Sequence, residues 1–339
     1  MMETWSWMLL ELFRMRIRLR MSKPDLVNLR LIREAHERIK SVVVRTPLYN
    51  AAVLSSELQG KAFLKLESLQ RTGSFKIRGA YNFVAQIPDE IRSHGVITYS
   101  SGNHAQAVAL AAQLHGVRAV VVMPVNAPQI KRDGAVRLGA EVILEGTTST
   151  ERRIRAESIA AQESLSIVPP YDAPEIIAGQ GTTGLEIAED CDDFDVVLAP
   201  IGGGGLCSGS AAAIRRLRPD VEIVGVEPVG GASMKAAIDA GEPVVLPQVD
   251  SIADGLLPVR SGDQTFAHVR EFVDEVVLVE DSEIREAAKF LFGQERLVVE
   301  FSGAATVAAL RSGRVQSNGR TVVAIVSGGN ADPGMIANL

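Results

Sequence analysis

The chain has 339 residues, of which 46% are hydrophobic and 22% charged, the composition of an ordinary globular protein with one large or two moderate domains. A net charge of -6 and a pI of ≈ 5.5 leave no basic footprint for nucleic acid, and no apolar run approaches the roughly 20 residues that a membrane span needs. The only cysteines, Cys191 and Cys207, make neither a CxxC nor a disulfide framework, and His36, His94, His104, His115 and His268 show no metal-ligand spacing. Composition thus predicts a protein of the reducing cytoplasm with no nucleic-acid or membrane partner.

The first twenty residues differ from the rest. Trp5 and Trp7 are followed by Arg14, Arg16, Arg18 and Arg20 at alternate positions. Arg-rich leaders address organelles, but here Glu3 and Glu11 intervene and the apolar part precedes the charges. Residues 1–21 therefore read as an N-terminal extension, disordered or started upstream, with Met21-Ser22-Lys23-Pro24 as the natural beginning. From Asp25 onward, short β-branched runs alternate with longer helical patterns, the signature of a parallel α/β sheet. The predicted strands are Ala62–Leu66, Val96–Tyr99, Ala119–Met123, Glu141–Leu144, Val196–Pro200, Glu222–Val226, Val276–Val279 and Val322–Val326. Helices are predicted between them, among them Ala105–Leu114, Arg152–Gln162, Ala211–Leu217 and Ser282–Phe292. Several strands are almost wholly apolar, as expected where helices cover both sheet faces. Pro169-Pro170 is the clearest break in the pattern and Gly95 a softer one.

Four strings carry chemistry. In the first, the turn Thr72-Gly73-Ser74 gives way to the helix-compatible run Phe75-Lys76-Ile77-Arg78-Gly79-Ala80. A lysine at such a junction can form a Schiff base with a cofactor aldehyde if desolvation removes its proton. The second, Ser100-Ser101-Gly102-Asn103-His104, follows the strand ending at Tyr99 and opens an alanine-rich helix. Loops at the carboxyl ends of parallel strands bind ligands and helix N-termini attract carboxylates, although Ser100 or Ser101 could equally be a plain N-cap. In the third, Gly202-Gly203-Gly204-Gly205-Leu206 offers backbone amides to a phosphate without Cβ clashes. A dinucleotide fingerprint fails there, because GxGxxG would require glycine at Cys207 or Ser208. The fourth is Ser327-Gly328-Gly329-Asn330, unremarkable as a turn taken alone.

In this order the four strings resemble the fold-type II pyridoxal-phosphate enzymes, in the threonine/serine dehydratase and serine racemase branch. Lys65-x-Glu67, Ile177-Ala178-Gly179-Gln180-Gly181-Thr182 and Ser251-Ile252-Ala253-Asp254-Gly255 fit the same pattern, so the resemblance runs from about Asp25 to the C-terminus. It implies an α/β, tryptophan synthase β-like fold: a large open twisted sheet domain (residues 22–94 and 173–339) with a smaller α/β domain inserted (residues 95–172). It implies pyridoxal 5'-phosphate as the cofactor, carried by Lys76, with Phe75 beside the ring and Asn103 on the ring hydroxyl. Gly202, Gly203, Gly204, Gly205 and Leu206 would surround the phosphate, and Ser327 would face the pyridine nitrogen. A neutral hydroxyl there leaves the nitrogen largely unprotonated, which suits prompt expulsion of a leaving group. The substrate carboxylate would lie among Ser100, Ser101, Gly102, Asn103 and His104, with Arg152 aligned to a substrate-proximal arginine.

The expected activity is an L-threonine/L-serine dehydratase (ammonia-lyase), converting a small hydroxy amino acid to a 2-keto acid and ammonia with Lys76 taking the Cα proton. Ser101, the second catalytic candidate, would serve the opposite substrate face and keeps serine or aspartate racemisation and threo-3-hydroxyaspartate elimination open. A non-catalytic pyridoxal-phosphate-binding or regulatory protein is the rival of another class. Cysteine synthases are disfavoured because their substrate loop is of the Thr-Ser-Gly-Asn type. Regulated biosynthetic threonine deaminases are disfavoured because this chain ends soon after Asn330. For the divalent cation of racemase-like relatives, Glu227 matches one ligand, but a later position falls on Ser233, so Mg²⁺ is disfavoured. Phe301 stands where the family usually has proline. Relatives in this branch lead to the expectation of a homodimer or homotetramer.

Overall fold

The computed structural model describes residues 26–339 except Ser101, Pro128 and Asn338. The expectation for residues 1–21 lies outside the described residues. Among the described residues there are ten strands: β1 (Leu48–Asn50), β2 (Lys61–Leu66), β3 (Val96–Tyr99), β4 (Ala119–Met123), β5 (Glu141–Leu144), β6 (Ser166–Ile167), β7 (Val196–Pro200), β8 (Glu222–Pro228), β9 (Glu275–Val279) and β10 (Thr321–Val326). They form a six-stranded sheet in the order β1-β2-β10-β7-β8-β9 and a four-stranded sheet in the order β5-β4-β3-β6. Of these strands only β1 runs antiparallel to its neighbour. The predicted strands recur within a residue or two, whereas β1 and β6 are too short to show a periodicity.

The apolar runs form strands because both faces are covered. Every residue of β7 is buried. One core lies between the six-stranded sheet and helices Asp281–Gly293 and Phe301–Arg311, and includes Leu198, Ala324, Leu291 and Val307. The other lies beneath helices Leu29–Ile39, Pro174–Asp190 and Gly205–Leu217, and includes Val197, Ile325, Ile177 and Ile214. Full burial of a leucine, isoleucine or valine among these contributes about 1.5–3 kcal/mol. Helices Asn103–His115 and Ser149–Glu163 cover the four-stranded sheet on its two faces. Phe301 occupies the first position of its helix, where proline is merely favoured, so its substitution costs no hydrogen bond there.

Helix Lys76–Val84 is held by two devices. The first is close backbone contact: a Cβ on Gly179 would lie 2.6 Å from both Arg78 O and Gly79 Cα, and one on Gly209 would lie 2.2 Å from Ile177 O. The small residues of Ile177–Thr182 therefore let three helices pack backbone to backbone. The second is a buried ionic network. Arg78, with no solvent exposure, donates Nε to Glu67 Oε2 at 2.8 Å and Nη2 to Glu67 Oε1 at 2.8 Å. It also donates to Glu186 at 2.7 and 2.9 Å and to Thr182 Oγ1 at 3.0 Å. Lys65 Nζ reaches Glu186 Oε2 at 2.7 Å and Thr46 O at 2.7 Å, while Thr46 Oγ1 donates to Glu67 Oε1 at 2.6 Å. Burial works against the guanidinium's charge, but Glu67 and Glu186 outweigh it and raise its pKa.

Breaking a buried pair from one side leaves a charge uncompensated, which costs about 3–5 kcal/mol. Glu186→Leu is expected to lower the unfolding free energy by about that amount in urea titrations, and a loss under about 1 kcal/mol would contradict the network's role.

Candidate active site

The predicted residues from Phe75 to Ser327, leaving aside Ser101 and Glu227, line one cleft of ≈ 780 Å³ where β3, β7 and β10 end. Ser101 lies outside the described residues. The start of the lysine helix is fastened to the end of β10 by Phe75 N donating to Ser327 O at 3.2 Å and by an antiparallel bridge between Ser74 and Gly328. Before it, the β-branched Thr72 adopts φ 61°, an uncommon conformation that turns its carbonyl to Asn330 Nδ2 at 2.7 Å.

Lys76 opens on the cleft. Its Nζ donates to Pro170 O at 2.7 Å and lies 5.2 Å from the centre of the Phe75 ring. The dense surrounding wall desolvates the amine and lowers its pKa from 10.5 to about 8. No carboxylate pairs with it among the described residues. His104 is buried on the facing helix, with Nε2 on Val168 O at 3.1 Å and Nδ1 without a partner among the described residues. Burial, reinforced by the Lys76 charge, pushes His104 down to about 3, so the ring is neutral and carries its proton on Nε2.

The glycine run leads into the N-terminus of helix Gly205–Leu217, with Gly204 at φ +96°. Among the described residues no acceptor takes the amides of Gly203, Gly204, Gly205 or Leu206, while Gly203 O is engaged by Thr265 Oγ1 at 2.7 Å. A Cβ on Gly203 would lie 2.2 Å from the Tyr171 ring. Free amides facing the cleft, a helix dipole behind them and carbonyls tied away make an anion cup. Thr265 is itself set by Asp172, whose carboxylate accepts the N–H groups of Asp263, Gln264 and Thr265 at 3.0, 2.9 and 3.2 Å. Sequence reasoning missed Tyr171 and Asp172; their only signal was adjacency to the Pro169-Pro170 break.

Asn103 donates Nδ2 to Glu300 Oε1 at 2.6 Å and accepts from Asn330 Nδ2 at 2.8 Å. Glu300, buried at the cleft wall, was also missed, although it lies beside the unusual Phe301. Arg152 lines the cleft with Nη1 on Thr147 O at 3.2 Å and has no ion pair among the described residues, whereas its neighbour Arg153 is paired to Glu157 at 2.7 Å. The Gly102 amide donates to Ser100 Oγ at 3.4 Å.

Glu227 lies off the cleft. Both its carboxylate oxygens accept backbone N–H groups, from Met234 and Lys235 at 2.8 Å each, at the start of helix Ser233–Ala240. Burial pushes its pKa up to about 7 against those bonds. Among the described residues no group of three or more His, Cys, Asp or Glu side chains is arranged to hold a metal.

The chain is similar to known proteins over most of its length. A family model described as pyridoxal-phosphate dependent enzyme matches residues 39–328. The L-threonine ammonia-lyase of Thermotoga maritima is 44% identical over 92% of this chain and 77% of its own length. The structure of maize serine racemase superposes with a TM-score of 0.89 at 36% identity, covering 92% of this chain and 96% of that one. Threonine deaminase isoform 2 of Solanum lycopersicum, in its processed form, gives 0.87 at 38% identity over 91% and 86% of the two chains.

The Lys76 environment sets a pH profile. Desolvation disfavours the charged amine, so the neutral nucleophile predominates above about 8 rather than above 10.5. The rate at which a small aldehyde is trapped on Lys76 in the cofactor-free protein, read by peptide mass spectrometry, is expected to reach half its maximum near pH 8; a midpoint above about 10 would match an ordinary solvated lysine.

Proposed function

The chain belongs to the pyridoxal-phosphate-dependent enzyme family with fold-type II architecture, and on that premise we propose that it is an ammonia-lyase acting on L-threonine and L-serine. It eliminates water across the Cα–Cβ bond and yields a 2-keto acid and ammonia. One observation carries the reading: a desolvated lysine without a carboxylate partner, an amide-lined anion cup and a neutral serine hydroxyl converge on a single cleft. These groups match the aldehyde, the phosphate and the pyridine nitrogen of pyridoxal phosphate.

When bound, the cofactor supplies an aldehyde carbon for the substrate amine and an electron-withdrawing ring that stabilises charge at Cα. The remaining work falls to the chain. Lys76, its pKa brought down to about 8 by desolvation, would be the base for the Cα proton. The amides and helix N-terminus at Gly102 to His104 would receive the substrate carboxylate, with Arg152 as the cation nearby that has no ion pair among the described residues. Ser327, a neutral hydroxyl lining the cleft, would face the ring nitrogen and leave it largely unprotonated, which suits prompt loss of a β-leaving group. We read residues 95–172, which hold β3 to β6, as the small domain that carries the substrate loop.

Racemisation is a second reading, supported by a serine at position 101 and by the likeness to maize serine racemase. Keto acid formation by cofactor-loaded protein from L-threonine, L-serine and threo-3-hydroxyaspartate separates these readings when D-serine is followed in parallel. Keto acid from threonine and serine is expected, with Lys76→Ala reducing the rate by about a thousandfold or more. Any D-serine formed is expected to vanish in Ser101→Ala while elimination persists. No keto acid from either threonine or serine would overturn the proposal.

A further inference from the structure

Asn103 is the hinge of a hydrogen-bond chain that runs Thr72 O, Asn330, Asn103, Glu300. Asn330 Nδ2 donates to Thr72 O at 2.7 Å, and a carbonyl can only accept, so the orientation of this amide is fixed. The same nitrogen faces Asn103 at 2.8 Å, so the Asn103 atom opposite it must be Oδ1. Asn103 Nδ2 is thereby turned to Glu300 Oε1 at 2.6 Å, and its second N–H has no other acceptor among the described residues. Asn103 lines the cleft.

The surrounding glycines are shaped for this chain. A Cβ on Gly328 would lie 2.1 Å from Glu300 Oε1, and one on Gly73 would lie 2.3 Å from Asn330 Oδ1. The glycine after Ser327 thus leaves room for a carboxylate. The chain also bridges the two sheets, because Asn103 follows β3 whereas Glu300 and Asn330 belong to segments packed at the end of β10.

We propose that Glu300 is a positioning residue that locks the Asn103 amide with one N–H directed at the ring oxygen of the bound cofactor. The inference rests on the reading of Asn103 as the residue at that oxygen. The charged groups around Glu300 are Asp254, on the turn Asp254–Leu256, and Lys131, from helix Gln129–Arg137, which are paired with each other. Burial, with the Asp254 charge added, raises the Glu300 pKa to about 7 against the pull of Asn103 and Lys131. Ionisation strengthens the bond that holds Asn103, so the ring oxygen meets a firmly held donor above that pH and a looser one below it.

The test is the pH titration of the visible absorption of cofactor-loaded wild type, Glu300→Gln, Glu300→Ala and Asn103→Ala, together with cofactor release on dialysis. The wild-type spectrum is expected to change with a midpoint near 7. Glu300→Gln, which keeps the acceptor and the size, should hold the cofactor but lose that step. Glu300→Ala should release the cofactor about tenfold more readily, and combining it with Asn103→Ala should add little. A step near 7 that survives in Glu300→Gln overturns the proposal even if the alanine variant does not fold. A wild-type protein with no cofactor band would remove the reading of the site and this inference with it, whereas a band abolished by Lys76→Ala leaves the site intact and isolates Glu300.

Discussion

Arg78 lies wholly inside the protein with four carboxylate oxygens around its guanidinium, and the reactive end of the cleft depends on that arrangement. A buried cation demands partners, and these partners come from separate parts of the chain: Glu67 after β2 and Glu186 in helix Pro174–Asp190. Meeting the demand fixes the first turns of helix Lys76–Val84. Lys76 stands two residues earlier, so helical geometry sends its side chain to a different face. There it meets a carbonyl and an aromatic ring but no carboxylate. The same short helix therefore keeps one cation firmly charged and brings the pKa of the other down to about 8, a contrast that suits a lysine meant to act as nucleophile and base.

The two ends of the cleft are built with different physics, and we read the glycine run as the phosphate end. Backbone amides supply the donors, and their orientation is arranged at a distance: Asp172 caps helix Asp263–Phe272, and Thr265 on that helix draws the Gly203 carbonyl aside. At the other end, which we read as facing the ring, the cleft wall offers a side-chain amide, a hydroxyl and a buried acid. Such preorganised dipoles need little rearrangement when charge develops in a reaction. His104, kept neutral by burial, adds no second positive charge beside Lys76.

The legibility of this molecule in its sequence follows from the range of each signal. Runs such as Val196–Pro200 and Thr321–Val326 declare buried strands because burial on both faces removes polar residues along the whole element. β1 and β6, three and two residues long, leave no such trace and exist through pairing with longer neighbours. The lysine, glycine and serine strings are legible because each combines a turn with a reactive or conformationally special residue. Glu300, Tyr171 and Asp172 are not, since their meaning lies in contacts with Asn103, Gly203 and the Asp263–Phe272 helix far away in the chain. The glycines of Ile177–Thr182 could be matched as a string, yet their reason, backbone contact between helices, appears only in three dimensions.

The central claim is that Lys76 is the residue to which pyridoxal phosphate is joined in this cleft. Borohydride reduction of the cofactor-loaded protein, followed by peptide mass spectrometry, tests it most directly. The account predicts the reduced cofactor on the peptide that contains Lys76, at about one per chain. Labelling of a different lysine, or none while the protein remains folded, would contradict it.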